Sequence, residues 1–326
     1  MAISDYLSEN VNFSKLNKTE KREFLDNLRE YLIEYRSSLG FRNNMTFGVE
    51  IEYESLLQIE LENLSVFDWS SVNDSTLICG GEIKSPILKD KEDDWDSLVS
   101  ICSLLKLNCV GTFGYCGGHI HFGRKVFENN YKYMINFLKL IMLYEPILYY
   151  FGYGDKLIPR RCINKYAPPI ASDLYKIRKD ISNCRSMGQV LDTIPYLVKN
   201  QSISFKNLDF EHVYEFYNTL EFRFPNSSSE EVVWQNNINV IGKLLMYACS
   251  EGFDEHLVNY RLFWLKNSRY DKKMYVTIQK ELAFEFADLI FDNMLDKINF
   301  LKQYFKLYQE NNDMTYARKF VKSMID

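Results

Sequence analysis

The spacing of hydrophobic residues changes twice along the chain. A helical period dominates the N-terminal segment that ends at Gly40 and again the chain after Val232, while strand-like and helix-like segments alternate between Phe47 and Pro225. Helices with one apolar stripe need a surface to pack on, and a sheet supplies it. The pattern therefore predicts an α+β fold with helices over a sheet. The predicted helices are 17–39, 95–107, 130–150, 232–250 and 273–310.

Four short segments alternate strictly between apolar and polar residues, which predicts β-strands with two different faces. In residues 47–54 one face is apolar or aromatic, and the other carries three glutamates. Another segment places two histidines on its polar face, between glycines. A solvated outer sheet face gives a similar pattern, so a single segment does not decide between a site and a surface. The four segments are 47–54, 81–86, 118–123 and 220–225.

The polar faces of these segments would share one surface if the four strands lie in one sheet. So many carboxylates repel one another unless cations neutralise them. Carboxylate oxygens with little sulfur suit Mg²⁺ or Mn²⁺, and Mg²⁺ in such sites commonly also binds substrate phosphates, which favours a nucleotide. A zinc site of two histidines and one glutamate is the competing hypothesis, but it leaves three or more carboxylates unexplained. The residues concerned are Glu50, Glu52, Glu82, His119, His121, Glu221 and Arg223.

Composition narrows the class of protein. The chain has 326 residues, 46% of them hydrophobic, and a net charge of -5 at pH 7 with His neutral. We expect a cytoplasmic protein without a membrane span, because no long apolar run is free of charge and no signal segment is recognisable. Mild acidity without a basic block disfavours nucleic acid as a partner. Seven cysteines without a Cys-x-x-Cys pair are expected to be reduced thiols.

The common nucleotide-binding and hydrolase motifs are missing from the sequence. The glycines at 118 and 123 are followed by Arg124 and Lys125, where a phosphate-binding loop has Gly-Lys-Ser/Thr. No Gly-x-Gly-x-x-Gly follows a predicted strand, and no Gly-x-Ser-x-Gly is present. A nucleotide site in this protein must therefore be built in another way.

The order of the motifs resembles that of the amidoligase family, which belongs to the glutamine synthetase and glutamate–cysteine ligase superfamily. The resemblance covers about residues 44–245, leaving an N-terminal helical extension at 1–43 and a C-terminal helical segment at 246–326. It implies a curved antiparallel sheet of the glutamine synthetase catalytic type, with helices packed on its outer face and an ATP site with two or more divalent ions. The motifs are FGVEIE at 47–52, DST at 74–76, GEIKSP at 81–86, GGHIHF at 117–122 and LEFRF at 220–224.

The resemblance also implies roles for individual residues. Arg223 matches the cation that faces the transferred phosphoryl group, and His121 matches a nucleotide or substrate contact. Asp74, the third predicted catalytic residue, matches the Asp of an Asp-Gly-Ser segment, although no glycine follows it here. Lys84 stands where relatives more often have a small or apolar residue, which alters the local charge. The implied metal ligands are Glu50, Glu52, Glu82, His119 and Glu221.

Arg160, Arg161 and Lys206 are further candidate contacts for the cofactor. Guanidinium groups bind carboxylate or phosphate through paired hydrogen bonds, and members of the family often carry an Arg in this region. Lys206 precedes the strand of Glu221 at a spacing similar to that in relatives. A solvated basic turn is the alternative for the two arginines.

The resemblance implies an ATP-dependent carboxylate–amine ligase that uses Mg²⁺ or Mn²⁺ and forms an amide or isopeptide bond through an acyl phosphate. One alternative is phosphotransfer to a small acceptor, because guanidino kinases resemble this sheet architecture. Another is an inactive nucleotide- or peptide-binding module, which the retained, mutually repelling carboxylates disfavour. The expected partners are a carboxylate and an amine, such as an amino acid, a peptide or a protein tag. The sequence names neither and leaves an oligomer open.

Overall fold

One antiparallel sheet forms the centre of the molecule. The computed structural model describes residues 3–9, 11–55, 68–77, 79–108, 110–112, 114–194, 201–208, 218–265 and 272–307. The strands of the sheet are β1 (Phe47–Glu54), β2 (Ser70–Asn73), β3 (Gly80–Lys84), β4 (Gly118–Gly123), β5 (Ile203–Ser204) and β6 (Thr219–Phe222). They lie in the order β2-β3-β1-β4-β6-β5, and each neighbouring pair is antiparallel. The predicted α+β class and its antiparallel sheet are confirmed.

Helices make up most of the rest of the described chain. Three of the predicted helices, at 95–107, 130–150 and 232–250, are confirmed as α3, α4 and α9 with ends shifted by a few residues. The α-helices are α1 (Ile3–Ser8), α2 (Lys18–Leu28), α3 (Glu92–Leu107), α4 (Tyr131–Phe151), α5 (Ile163–Tyr166), α6 (Ala171–Lys176), α7 (Arg178–Asn183), α8 (Met187–Thr193), α9 (Glu231–Ala248), α10 (Glu255–Trp264), α11 (Lys280–Ile290) and α12 (Met294–Tyr304).

The helix predicted at 17–39 was wrong in its length, because α2 ends at Leu28. The chain after it lies along other elements without helical structure. There the Tyr35 hydroxyl donates to the Trp95 carbonyl oxygen at 2.9 Å, and the Arg36 amide donates to the Gln235 side chain at 2.8 Å. These bonds to α3 and α9 replace the intrahelical bonds that a longer helix would have made.

The stretch 273–310, predicted to be helical, contains more than one helix. A short 3₁₀ helix at Lys272–Tyr275 is followed by α11 and α12. The Asn293 side chain accepts a hydrogen bond from the Asp296 amide and so caps the N-terminus of α12, which starts a new helix within one apolar stripe. Residues 308–310 of the prediction lie outside the described residues.

The apolar face of the sheet packs against the helices. The Phe47 ring of β1 stacks on Trp95 of α3 with centroids 4.9 Å apart. Further along, Phe222 of β6 meets Phe122 of β4 and Phe137 of α4 edge to face, at 6.3 Å and 6.1 Å. Aromatic and aliphatic side chains buried on this face anchor the strands, so the opposite face is available for polar side chains.

Helix α4 runs through the core. Its length and composition would allow it to cross a membrane, but 94% of its most apolar 18-residue window is buried inside the fold. That burial is typical of a core helix of a soluble protein. The helix carries one fully buried carboxylate, Glu145, which is described below.

The strand register places the predicted polar residues on one face. Glu50 of β1 lies opposite His119 of β4 on one side and Lys84 of β3 on the other. In the same way His121 of β4 lies opposite Glu221 of β6. Since side chains alternate between the faces of a strand, residues in register point to the same side of the sheet. The polar faces of four strands therefore form one surface.

Candidate metal and active site

A cavity of about 500 Å³ opens on the polar face of the sheet. Its floor comes from the central strands, and its rim from β2 and the segments around Tyr115, Tyr166 and Asn207. Most of the floor side chains are nearly buried, with exposed fractions of 4–8% for His119, Glu52, Glu82 and Glu221. All of the residues predicted as metal ligands line this cavity: Glu50, Glu52, Glu82, His119 and Glu221.

His119 lies at the centre of the floor. Its Nδ1 atom is 2.9 Å from Glu50 Oε2, 3.6 Å from Glu221 Oε1 and 3.7 Å from Glu82 Oε1. The other ring nitrogen, Nε2, is 3.5 Å from Glu52 Oε1. One imidazole thus touches all four carboxylates, which come from β1, β3 and β6.

The donor set fits a divalent cation. Two groups of side chains each bring three ligand atoms within 4.8 Å of one another, namely Glu50, His119 and Glu221, and Glu52, Glu82 and His119. Carboxylate oxygens with one imidazole suit Mg²⁺ and Mn²⁺. His119 belongs to both groups, so each group is arranged around its imidazole.

The buried nitrogen His119 Nε2 has no hydrogen-bond partner among the described residues. An unpaired buried polar atom is costly, so such an atom calls for a ligand. Histidine that binds a metal commonly hydrogen-bonds a carboxylate through its other nitrogen, and Nδ1 lies at that distance from Glu50. This arrangement leaves Nε2 available to a cation beside Glu52.

When no cation is present, the neighbouring carboxylates disfavour one another's ionisation. Burial alone would raise the pKa of Glu50, but the neighbouring His119 and His121 side chains outweigh burial and hold that pKa well below its usual range. For Glu82, burial and then the nearby Glu50 carboxylate raise the pKa to about 7. A bound cation would favour the ionised form of Glu82 and remove this conflict.

His121 and Glu52 are each held by a contact at the edge of the cluster. His121 Nδ1 is 3.1 Å from the Thr219 hydroxyl, and its Nε2 is 3.4 Å from Glu50 Oε1. The Gly117 amide donates to Glu52 Oε2, which fixes that carboxylate against the start of β4. Both side chains line the cavity and face its interior from opposite ends of the central pair of strands.

Arg223 forms part of the cavity wall directly after β6. Its Nη1 atom donates to Glu221 Oε1, and its backbone amide donates to the Ser202 carbonyl oxygen at 2.8 Å. The side chain is 8% exposed. A buried guanidinium beside a predicted metal ligand places a permanent positive charge next to any anion in the cavity.

Arg160 lies behind Arg223 in the same wall. Its guanidinium donates to the carbonyl oxygens of Pro225 and Arg223, the latter at 2.9 Å. Gly117 makes room for it, because a Cβ atom there would lie 2.8 Å from Arg160 Cζ. With these donors bonded to carbonyl groups, Arg160 supports the strand end that carries Arg223 and adds positive charge to the wall.

The remaining candidate contacts lie further out. Asp74 lines the rim in a turn, where its Oδ1 atom accepts a hydrogen bond from the Thr76 amide at 2.7 Å. Arg161 is exposed, with its guanidinium carbon 5.5 Å from the centroid of the Tyr115 ring, and is not part of the described cavity wall. Lys206 is also exposed and outside that wall, whereas its neighbour Asn207 is in it.

Sequence reasoning assigned no contact in the site to two kinds of residue that the structure brings there, and it singled out one of them, Lys84, only for its effect on the local charge. Lys84 lines the cavity and bridges Glu50 and Glu82. The rings of Tyr115 and Tyr166 form part of the wall. The alternation of β3 places Lys84 on the polar face and could have predicted these contacts. The tyrosines come from an irregular segment and from the four-residue helix α5, which are too short to carry a periodic signal.

Glu145 of α4 is a buried carboxylate that no sequence pattern singles out. Its two oxygens accept hydrogen bonds from the amides of Ile170 and Ala171, at 2.9 Å and 2.8 Å, and from the hydroxyls of Ser202 and Tyr275. Burial raises its pKa, and these donors oppose the rise. Glu145 thereby ties three separate parts of the chain to the core.

Glu145→Ala is expected to lower the free energy of unfolding strongly. Each buried donor that loses its acceptor costs about 1–3 kcal/mol, and several lose it at once. Thermal and urea unfolding would measure the loss. The variant Glu145→Gln keeps one carbonyl oxygen and should lose less, and Glu251→Ala, on an exposed turn, should change little. Equal stability of Glu145→Ala and the wild type would show that these hydrogen bonds contribute no net stability.

A known protein family matches the part of the chain that carries most of the cavity residues. The family model described as "putative amidoligase enzyme" matches residues 65–245, which is more than half of the chain. A search of curated proteins found no match. Strand β1 precedes the matched segment, yet it pairs with β3 and β4 inside it and supplies Glu50 and Glu52. The chain therefore belongs to the amidoligase family, and its class at that coarse level is a ligase that forms amide bonds.

Proposed function

We propose that this protein is an ATP-dependent carboxylate–amine ligase, with a sheet of the glutamine synthetase catalytic type. The observation that carries the proposal is the meeting of four carboxylates and two imidazoles with Arg223 in one cavity, in a member of the amidoligase family. Such a set of mutually repelling carboxylates has little use without cations and an anionic ligand.

The proposed cofactors are ATP and Mg²⁺ or Mn²⁺. The ligands would be Glu50, Glu52, Glu82, His119 and Glu221, which the distances and the donor chemistry support. When bound, the divalent ions supply charge neutralisation for the phosphate oxygens of ATP. The carboxylates hold this charge at the floor of the cavity, close to the wall of Arg223.

The proposed reaction has two steps. A carboxylate oxygen of the first substrate bonds to the γ-phosphorus of ATP while the bond to the β,γ-bridging oxygen breaks, giving an acyl phosphate and ADP. The amine nitrogen then bonds to the acyl carbon, inorganic phosphate leaves, and the nitrogen gives up a proton. Arg223 offsets negative charge that develops on the transferred phosphoryl group, since its guanidinium is fixed at the wall before the reaction begins.

His121 and Asp74 complete the proposed catalytic set. His121 Nε2 lies in the cavity beside Glu50 without a hydrogen-bond partner in the described chain, which suits a contact with nucleotide or substrate. Asp74, which lies on the rim, would contact a substrate that enters from the side of β2. We propose an amino acid, a peptide or a protein tag among the carboxylate and amine substrates, and a cytoplasmic reaction. All six described cysteines are free, as a reducing compartment would leave them.

The discriminating experiment measures ADP release from the purified protein with ATP and Mg²⁺, scanned over carboxylates and amines given singly and together. A ligase sustains ADP release over many turnovers only when both substrates are present, and it gives a product of the mass of the amide. ADP release with one acceptor, together with a stable phosphorylated product, would support phosphotransfer instead. Bound nucleotide without any release would support an inactive binding module. Glu221→Gln is the blank for contaminating ATPase activity.

A further inference from the structure

Lys84 already provides a positive charge inside the cluster of carboxylates. Its Nζ atom lies 3.0 Å from Glu50 Oε1 and 2.9 Å from Glu82 Oε2. We infer that the Lys84 ammonium takes the place of one divalent cation between these two carboxylates, so that the site holds one divalent ion fewer than it would without this lysine. The inference rests on the proposed metal-dependent function and concerns the number of ions that this chain binds.

The backbone holds the ammonium between the two carboxylates. Lys84 is directly opposite Glu50 in the β1–β3 register, and it follows Glu82 by two residues on the same face of β3. Both contacts are therefore set by strand pairing and alternation. A bridging metal ion at this position would join carboxylates from two strands in the same way as the ammonium does.

Lys84 contacts one oxygen of the Glu50 carboxylate and one of the Glu82 carboxylate, and the other oxygen of each faces His119. Glu50 Oε2 and Glu82 Oε1 are the atoms that lie 2.9 Å and 3.7 Å from His119 Nδ1. The cluster thus has a side already occupied by an ammonium and a side centred on the imidazole. The second side contains a buried nitrogen without a partner in the described chain, His119 Nε2. Another such nitrogen, His121 Nε2, lies 3.4 Å from Glu50 Oε1 at the edge of the first side.

The Lys84 ammonium and a divalent ion would exclude one another from this position because both are positively charged. A lysine side chain has an ordinary pKa of about 10.4 and is charged at neutral pH. A divalent ion bound to the same two oxygens would lie within a few ångströms of the ammonium and would be repelled by it. Two cations of like sign therefore cannot share the Glu50 Oε1 and Glu82 Oε2 pair unless the lysine moves away.

An ammonium differs from a bound ion because it cannot dissociate. This part of the neutralising charge is then present at every Mg²⁺ concentration. The ions that do exchange would be confined to the side of the cluster formed by His119, Glu52 and Glu221. Replacing Lys84 with a neutral side chain of similar length should reopen the position at Glu50 and Glu82 to a divalent ion.

The test counts Mn²⁺ bound per chain by equilibrium dialysis, with free Mn²⁺ measured by electron paramagnetic resonance. Wild type, Lys84→Met, Lys84→Gln and Lys84→Arg are compared, each with and without a non-hydrolysable ATP analogue. We expect Lys84→Met and Lys84→Gln to bind one Mn²⁺ more per chain than the wild type, and Lys84→Arg to keep the wild-type number. Lys89→Met, at an exposed position, is the matched control and should also keep it.

The outcomes separate this inference from the proposed function. If the wild type and both neutral variants bind the same non-zero number of Mn²⁺ ions, Lys84 does not replace an ion, while a metal-dependent ligase still stands. If none of the folded proteins binds Mn²⁺ with or without nucleotide, both proposals fail. Two neutral variants are used so that poor folding of one, seen in its thermal unfolding, does not prevent the count in the other.

Discussion

Arg223→Ala is expected to lower turnover by about 10²- to 10³-fold, which is the usual cost of removing a preorganised charge from a transferring group. The guanidinium is held before the reaction by the Glu221 carboxylate and by the Tyr166 carbonyl oxygen. Its loss removes a positive charge from the wall and leaves Glu221 without this partner. The ADP-release assay with both substrates would measure the effect on kcat and KM.

Two further variants show whether the loss of turnover in Arg223→Ala comes from the missing positive charge at this position. Arg223→Lys keeps the charge but loses the planar fork, so we expect an intermediate activity. Arg22→Ala removes an arginine whose side chain is 83% exposed on α2, and it should retain wild-type turnover. Because Arg223 also contacts the Tyr166 carbonyl oxygen, thermal unfolding must accompany the kinetics. Turnover close to wild type in folded Arg223→Ala would rule out the proposed role.

The central strands could be predicted from the sequence because each carries a complete signal in a few residues. Strict alternation in residues 47–54 and 118–123 specifies both the strand and its two faces. Once the apolar face is buried, register is strongly constrained, since a shift by one residue would expose it. The meeting of Glu50 with His119 follows from this alternation and from the pairing of β1 with β4.

The edge strands were not predicted because they carry little signal of their own. Strand β2 is polar and largely exposed, and β5 has two residues. Their pairing depends on the edges presented by β3 and β6. The rim of the cavity, including Asp74 next to β2, therefore depends on long-range contacts that a local pattern does not contain.

Residues whose side chains contact distant segments of the chain were equally hard to predict. Glu145 is one carboxylate within an otherwise apolar helix, and only the folded chain shows that Ile170 and Ser202 donate to it. Likewise, the two neighbouring arginines look alike in sequence. Arg160 turns into the wall because Gly117 leaves space for its guanidinium, whereas Arg161 lies beside Tyr115 at the surface.

His119→Ala should weaken Mn²⁺ binding by at least about 10²-fold, more than the 10- to 100-fold typical of residues that only support a metal ligand. The imidazole is the member shared by both groups of candidate ligands, so its removal damages each of them. Equilibrium dialysis would give the dissociation constants. The increase in Tm that we expect Mn²⁺ to cause in the wild type should disappear at the same time, because a ligand stabilises a protein by RT ln(1 + [L]/Kd).

The matched control for this prediction is His256→Ala. His256 is an exposed histidine on α10, away from the cavity wall, and its loss should leave Mn²⁺ affinity unchanged. His119→Asn retains part of the side-chain volume and tests whether the loss of binding comes from the missing imidazole nitrogen and not from collapse of the floor. Both His119 variants should lose affinity for Mn²⁺. Without metal, His119→Asn should have the higher Tm of the two, because asparagine preserves more of the side-chain packing. If folded His119→Ala binds Mn²⁺ as tightly as the wild type, the cation does not use the centre of this cluster, and the acidic face of the sheet must be explained without it.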